Sequence, residues 1–128
     1  MIKKLLAILS VVLFAEQASA AEYFCKVDTK WSSGQQYSSQ HLFKWKPAVK
    51  IDDKGGYATL YRCSYETSAD AVTCDRYSAD YLTQDSNGNK KYYQYNGQFD
   101  VQLFANLDFI ENNGRGTISM GKCKLVRP

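Results

Sequence analysis

The amino-acid sequence predicts an all-β domain, a small antiparallel meander of seven to eight strands. Apolar and polar residues alternate with a period of two in several segments, most clearly at residues 98–111, as in strands with one buried face. Asn-Gly pairs, which favour tight hairpin turns, occur at Asn87-Gly88, Asn96-Gly97 and Asn113-Gly114. Because consecutive tight turns join antiparallel neighbours, the second half of the chain is predicted to be a meander.

A closed or partly open up-and-down barrel is the expected architecture, with a β-sandwich as the alternative. A strand as long as 98–111 needs strong curl, and closing a meander removes exposed sheet edges. The earlier strands are expected at 22–31, 41–45, 48–51, 57–66, 71–83 and 90–95, and the return strand ends near Cys123. Pro47 marks a bend or a sheet edge. No segment shows a helical period.

The first twenty residues predict a signal peptide. Lys3 and Lys4 precede an apolar run at 5–14, and 18–20 is a small-residue cleavage site ending at Ala20. The run is too short to span a bilayer. We therefore expect an exported protein, periplasmic or secreted, that is soluble after cleavage. Residues 21–128 would then form a single disulfide-stabilised β-domain.

Charge gives no case for a nucleic-acid or membrane partner. The chain has 16 basic and 13 acidic side chains, and without Lys3, Lys4 and Glu16 the remainder carries 14 and 12. Such near balance lacks the basic excess expected of proteins that bind nucleic acid or anionic lipid.

Four cysteines, all after the cleavage site, predict two disulfides. A turn centred within 67–70 places Cys63 opposite Cys74, close enough for a bridge. Cys25 and Cys123, in the first and last strands, are then left for each other. Their spacing suits no zinc site, and neither a metal nor another cofactor is expected.

Register carried from turn to turn predicts which side chains face inward. The predicted cross-strand pairs are Phe109 with Ile118, Leu107 with Met120, Tyr92 with Val101, Thr83 with Tyr92, Tyr81 with Gln94, and Arg62 with Asp75. The interior would then be apolar along 98–111, with a candidate polar cluster of Arg62, Asp75, Tyr77, Tyr81 and Tyr92. The outer face would present a candidate binding surface of Tyr93, Tyr95 and Phe104. A bulge at Gly121 is needed to turn Cys123 inward.

No catalytic set is evident in the sequence. His41 is the single histidine and stands beside a polar loop, and Asp52-Asp53 is explained by turn chemistry. Residues 112–116 are glycine-rich but lie between two strands, whereas a phosphate-binding loop leads into a helix. We therefore expect no enzymatic activity.

In size, export signal and disulfides the chain resembles the small periplasmic β-barrel inhibitors of lysozyme. Phe24-Cys25 and Ala58-Thr59-Leu60 are similar to stretches of their strands. The Ser-Ala-Ser-Gly-Ala type of loop expected of the membrane-bound group is absent from the sequence. No inhibitory residue is therefore carried over, and no family is assigned.

The sequence is compatible with two functions. The first is a protein-binding module of the cell envelope or outside, of the inhibitor or accessory type, with exposed aromatic side chains at its interface. The alternative is a carrier of a small apolar or aromatic ligand inside the barrel. A filled core with an exposed aromatic patch favours the first function, and a roomy tyrosine-lined cavity favours the second.

Overall fold

The computed structural model describes residues 20–128, so the predicted signal peptide lies outside the described residues except for Ala20. The described chain forms ten strands and one short helix. In chain order these are β1 (Ala21–Ser32), β2 (Gln35–Gln36), α1 (Ser39–Trp45), β3 (Ala48–Asp53), β4 (Ala58–Glu66), β5 (Ala71–Ser78), β6 (Tyr81–Gln84), β7 (Lys90–Gln94), β8 (Phe99–Leu103), β9 (Asp108–Asn112) and β10 (Thr117–Arg127).

The strands form one curled antiparallel sheet. Their order is β5-β4-β3-β1-β10-β9-β8-β7-β6, and β2 pairs with β1 beside this path. The two end strands are joined in the chain by Ala79 and Asp80 alone. The Ala79 N–H donates to the Ala58 carbonyl (3.0 Å) and the Asp80 N–H to the Tyr93 carbonyl (2.8 Å), so this short segment contacts both ends of the sheet. The predicted up-and-down meander is confirmed, as a partly open barrel. It has ten strands in place of the seven to eight expected, in part because the segment expected to be one strand at 71–83 is divided at Ala79 and Asp80 into the two end strands.

Apolar side chains fill the concave side of this sheet. They come from alternate positions of the strands that line it, as a period of two requires. The core consists of Cys25, Val27, Val49, Ile51, Ala58, Leu60, Tyr92, Phe99, Val101, Leu103, Phe109 and Cys123. Full burial of one large apolar side chain stabilises a fold by about 1.5–3 kcal/mol, so this cluster is the main source of stability.

The predicted long strand at 98–111 is wrong, because a turn divides it into β8 and β9. The Phe104 N–H donates to the Asp108 carbonyl (2.9 Å), and Leu107 adopts a positive φ of 72°. The Asn106 side chain accepts a hydrogen bond from the Asp108 N–H (3.0 Å), the local bonding by which asparagine favours turns. Apolar alternation continued through the turn and concealed it. Ala105, expected inside, is exposed on its tip.

The predicted pairing of the last two strands is also wrong, by three residues. Phe109 pairs with Gly121, and Met120 pairs with Ile110. The loop is longer than two residues because the Asn113 side chain accepts hydrogen bonds from the N–H groups of Arg115 (2.8 Å) and Thr117 (3.0 Å). Ser119, Gly121 and Cys123 therefore face inward, and Ile118 and Met120 do not. The bulge lies not at Gly121 but opposite it, between Val27 and Thr29 of β1.

Of the other two Asn-Gly turns, one joins strands in the predicted register and the other does not. The predicted β7–β8 pairing is confirmed, with Tyr92 opposite Val101, although the turn has four residues and Gln98 rather than Gly97 takes the positive φ. The predicted β6–β7 pairing is wrong by one residue, because Leu82 and not Thr83 lies opposite Tyr92. Asp85 accounts for the shift. Its carboxylate accepts hydrogen bonds from the N–H groups of Asn87 and Asn89, which stabilises a loop longer than the two-residue turn that was expected.

The predicted strand at 41–45 is a helix. The Ser38 side chain accepts a hydrogen bond from the His41 N–H (3.1 Å), which caps the first turn of α1. The helix ends at Trp45. The next residue, Lys46, adopts a left-handed conformation, and its N–H donates a hydrogen bond to the Leu42 carbonyl that closes the last turn. Seven residues are too few for a helical period to stand out in the sequence.

Both disulfides form as the sequence predicted. Cys25–Cys123 joins β1 to β10 and Cys63–Cys74 joins β4 to β5, with Cα separations of 3.9 and 4.1 Å. In each case the two cysteines are directly opposed in the antiparallel pairing.

Candidate functional site

Three tyrosines form a patch on the outer side of β6, β7 and the turn that follows β7, which we call the tyrosine patch: Tyr81, Tyr93 and Tyr95. Tyr81 lies opposite Tyr93, whose ring meets that of Tyr95 edge to face at 5.0 Å between centroids. Tyr81 is 56% exposed and Tyr95 is 62% exposed. The Tyr95 N–H donates to the Asp80 carboxylate (2.7 Å), which holds the end of β7 in place.

The sequence predicted two members of this patch and misplaced the third. Tyr81 was expected inside, but the one-residue shift between β6 and β7 turns it outward beside Tyr93. Phe104, expected beside Tyr95, is half-buried at the other end of β8, in the turn that the sequence did not reveal. The patch is therefore made of tyrosines alone.

One end of the sheet interior contains an ion pair between Arg62 and Glu111. The Arg62 Nη2 lies 2.8 Å from Glu111 Oε1, and the side chains are 30% and 7% exposed. The guanidinium lies 5.0 Å over the Phe99 ring, which Tyr77 meets edge-on at 5.0 Å. Burial raises the pKa of Glu111 above its usual range, and the positive charge of Arg62 opposes this rise.

Asp75 does not join this ion pair, although it lies opposite Arg62 as predicted. It is exposed, because β5 is an end strand and its residues from Ala71 to Arg76 are all exposed. The partner of Arg62 is instead Glu111, which the sequence did not predict. A signal for it was present, since the alternation that turns Phe109 inward also turns Glu111 inward.

The opposite end of the interior contains a second buried carboxylate, Asp53. It is 2% exposed and accepts hydrogen bonds from the Tyr92 hydroxyl (2.6 Å), the Lys90 ammonium (3.2 Å) and the Gly55 N–H (2.8 Å). Burial, followed by the bond to Asp53, raises the pKa of Tyr92 far above its usual value. The predicted interior cluster is thus divided, with Arg62 and Tyr77 at one end and Tyr92 at the other. Alternation from Val49 would have placed Asp53 inside.

A groove of about 490 Å³ runs beside α1 and is mostly apolar. Phe24, Leu42, Pro47 and Val72 contribute to its walls, and Phe43 stands at its rim with 82% of its surface exposed. The groove is not evident from the sequence, because the pattern at 41–45 predicts a strand in place of the helix that forms one wall.

Chemistry of other kinds has little support in the described part of the chain. Residues 20–128 contain no group of three or more His, Cys, Asp or Glu side chains that could hold a metal ion. No helix among them is long and apolar enough to cross a membrane. His41 is exposed on α1, with its ring 4.8 Å from that of Tyr37.

Comparisons of the chain with known protein families, with curated proteins and with solved structures gave no match.

Proposed function

We propose that this chain is an exported, non-enzymatic β-domain that binds a protein partner through the tyrosine patch, as an inhibitor or an accessory module of the cell envelope or the medium outside. The observation that carries the proposal is the contiguous group of Tyr81, Tyr93 and Tyr95 on the outer face of a sheet whose concave side is filled.

Tyrosine is enriched at the centres of protein interfaces, where it combines a large apolar ring with a hydroxyl that can bond across the contact. Here the rings of Tyr93 and Tyr95 already support each other, and Asp80 holds the backbone of Tyr95. A surface held in this way loses less conformational entropy when a partner binds it.

The filled interior favours protein binding over the carrier alternative. Tyr92, Phe99 and Phe109 are each at most 1% exposed in the centre of the core. The cavities beside Glu111 and Asp53 are only about 210 and 260 Å³. Binding pockets for small molecules usually measure about 300–1,000 Å³, so neither cavity offers a carrier the space it needs.

The disulfides support the exported part of the proposal. All four cysteines of the chain are paired in two bridges. Such bridges persist in the periplasm and outside the cell, where the surroundings are oxidising, and are rare in the cytosol.

The test uses a photo-crosslinking amino acid at position 95 of the full chain, expressed in its own cells. Tyr57 provides a matched control, because it is also a tyrosine, is 64% exposed and lies outside the patch. We expect position 95 to capture one protein that position 57 does not. With that protein purified, Tyr93→Ala with Tyr95→Ala should weaken binding about 30-fold, the effect of losing an interface hot spot.

Tyr57→Ala should leave the affinity within about twofold of the wild type, as expected of a residue outside the contact. The proposal fails if position 95 captures no protein. It also fails if the captured protein binds the Tyr93→Ala, Tyr95→Ala double variant as tightly as it binds the wild type.

A further inference from the structure

A row of alternating cations and aromatic rings crosses the outer face of five neighbouring strands. Arg76 of β5 pairs with Tyr61 of β4, which pairs with Lys50 of β3. Lys50 pairs in turn with Phe24 of β1, which pairs with Lys124 of β10. Directly paired residues of an antiparallel sheet face the same side, so these five form one line, which we call the basic row.

The rings of the basic row support its lysines. The Lys50 ammonium lies 5.1 Å from the centroid of the Tyr61 ring, and the Lys124 ammonium lies 5.8 Å from that of Phe24. Cation–π attraction of this kind positions a flexible lysine without neutralising its charge. Two positive charges are therefore held in place on the outer face, with Lys124 exposed and Lys50 half-buried.

Within residues 20–128, none of the three cations of the basic row forms an ion pair, whereas acidic groups beside the row do. Asp52 is paired with Lys54 at 3.1 Å, and Glu22 is paired with Arg127 at 3.6 Å. The nearby acids are thus neutralised by other residues. The row keeps its full positive charge in a chain of nearly balanced composition.

We infer that the basic row is a binding surface for a flexible anionic polysaccharide, independent of the tyrosine patch. Neighbouring strands lie about 4.8 Å apart, so cations on alternate strands are about 9.6 Å apart at the backbone. An acidic sugar chain such as a glycosaminoglycan repeats its pattern of anionic groups every two rings, so equivalent charges are widely spaced. In an extended acidic peptide, side chains on one side recur about every 6.7 Å, which does not match the spacing of about 9.6 Å between the cations of the row.

Other polyanions fit this surface less well. Lysine is depleted in the cores of protein interfaces. Single-stranded nucleic acid needs free ring faces for stacking, and here the lysines lie over the rings. A flat bilayer touches only part of a convex sheet face, whereas a flexible chain can follow the curve.

The probe is a size-defined heparin oligosaccharide, with a dextran oligosaccharide of equal length as the neutral comparator, at low ionic strength. Lys50→Gln and Lys124→Gln should each weaken heparin binding about threefold, as expected for the loss of one exposed ion pair, and together about tenfold. Lys91→Gln is the matched control. It removes the same charge from an exposed lysine of β7 outside the row, and should change the affinity by less than about 1.5-fold.

Added salt should abolish binding to heparin, because exposed charges are screened. The tyrosine-patch double variant should bind heparin like the wild type, so failure of one proposal is distinguishable from failure of the other. The inference is overturned if heparin binds no better than dextran, or if Lys91→Gln weakens binding as much as Lys50→Gln does. It is equally overturned if polyglutamate or phosphatidylglycerol vesicles bind more tightly than heparin.

Discussion

Two carboxylates lie inside the sheet at positions where strand alternation usually places apolar side chains. Asp53 and Glu111 are 2% and 5% exposed. Asp53 accepts hydrogen bonds from the Lys90 ammonium and the Tyr92 hydroxyl, and Glu111 is paired with the Arg62 guanidinium. Burying such a charge costs several kcal/mol, and pairing returns roughly that amount, so the pair adds little net stability while removal of one partner is costly.

Glu111→Ala should therefore destabilise the fold by about 2 kcal/mol. It leaves the Arg62 guanidinium without its partner, and the loss is smaller than for a fully buried pair because Arg62 is 30% exposed. Urea unfolding of the disulfide-intact protein measures the change.

Asp75→Ala is the control for this prediction. Asp75 faces Arg62 across the strands but is exposed and not bonded to it, so the variant should change stability by less than about 0.5 kcal/mol. A loss for Asp75→Ala that matches the loss for Glu111→Ala would contradict the assignment of Glu111, rather than Asp75, as the main partner of Arg62.

At the scale of the elements, β1 and β10 approach so closely that one position between them accepts only glycine. A Cβ on Gly121 would lie 1.9 Å from the Lys26 carbonyl oxygen and 2.9 Å from the Phe109 ring. The sequence predicts a bulge at Gly121, whereas the structure shows that the absence of a Cβ there lets the neighbouring backbone approach.

Gly121→Ala should consequently destabilise the protein by about 3 kcal/mol, because the backbone oxygen it meets cannot move without breaking the β1–β10 pairing. Thermal unfolding followed by circular dichroism measures the loss. Gly56→Ala is the matched substitution, since a Cβ there meets nothing within 4 Å and should change stability by less than about 1 kcal/mol. Equal melting temperatures for the two variants would contradict the close approach of the strands.

At the scale of the whole molecule, the Cys25–Cys123 bridge joins the two halves of the sheet. It links residues 98 apart in the chain, whereas Cys63–Cys74 links residues 11 apart within one hairpin. The first bridge also lies in the core, where Cys25 is fully buried, while Cys74 is exposed.

Loss of the long-range bridge should therefore destabilise more than loss of the hairpin bridge. The chain-entropy model predicts about 4.7 kcal/mol for a loop of 100 residues and about 3 kcal/mol for a loop of 15. Melting temperatures of the two double Cys→Ala variants test the order. The expectation is wrong if removal of Cys63–Cys74 lowers the melting temperature as much as removal of Cys25–Cys123.

The sequence alone determined the fold class and both disulfides. Period-two alternation and repeated turn signals are local properties, and they suffice for an antiparallel meander. The pairing of β4 with β5 was also predictable, because the short turn between them leaves one register that opposes Cys63 to Cys74. Tyr93 and Tyr95 could be assigned to the outer face because the β7–β8 register was correct.

Only the tertiary structure decided where the later strands break and which residue meets Arg62. Side chains of Asp85, Asn106 and Asn113 bond to the backbone and lengthen or create turns, and such bonds are worth only about 1 kcal/mol each. A shift of one residue reverses the faces of a strand, so these small local energies decided whether Tyr81 lies in the core or in the tyrosine patch. The basic row likewise exists only because pairing aligns five strands that are distant in the chain.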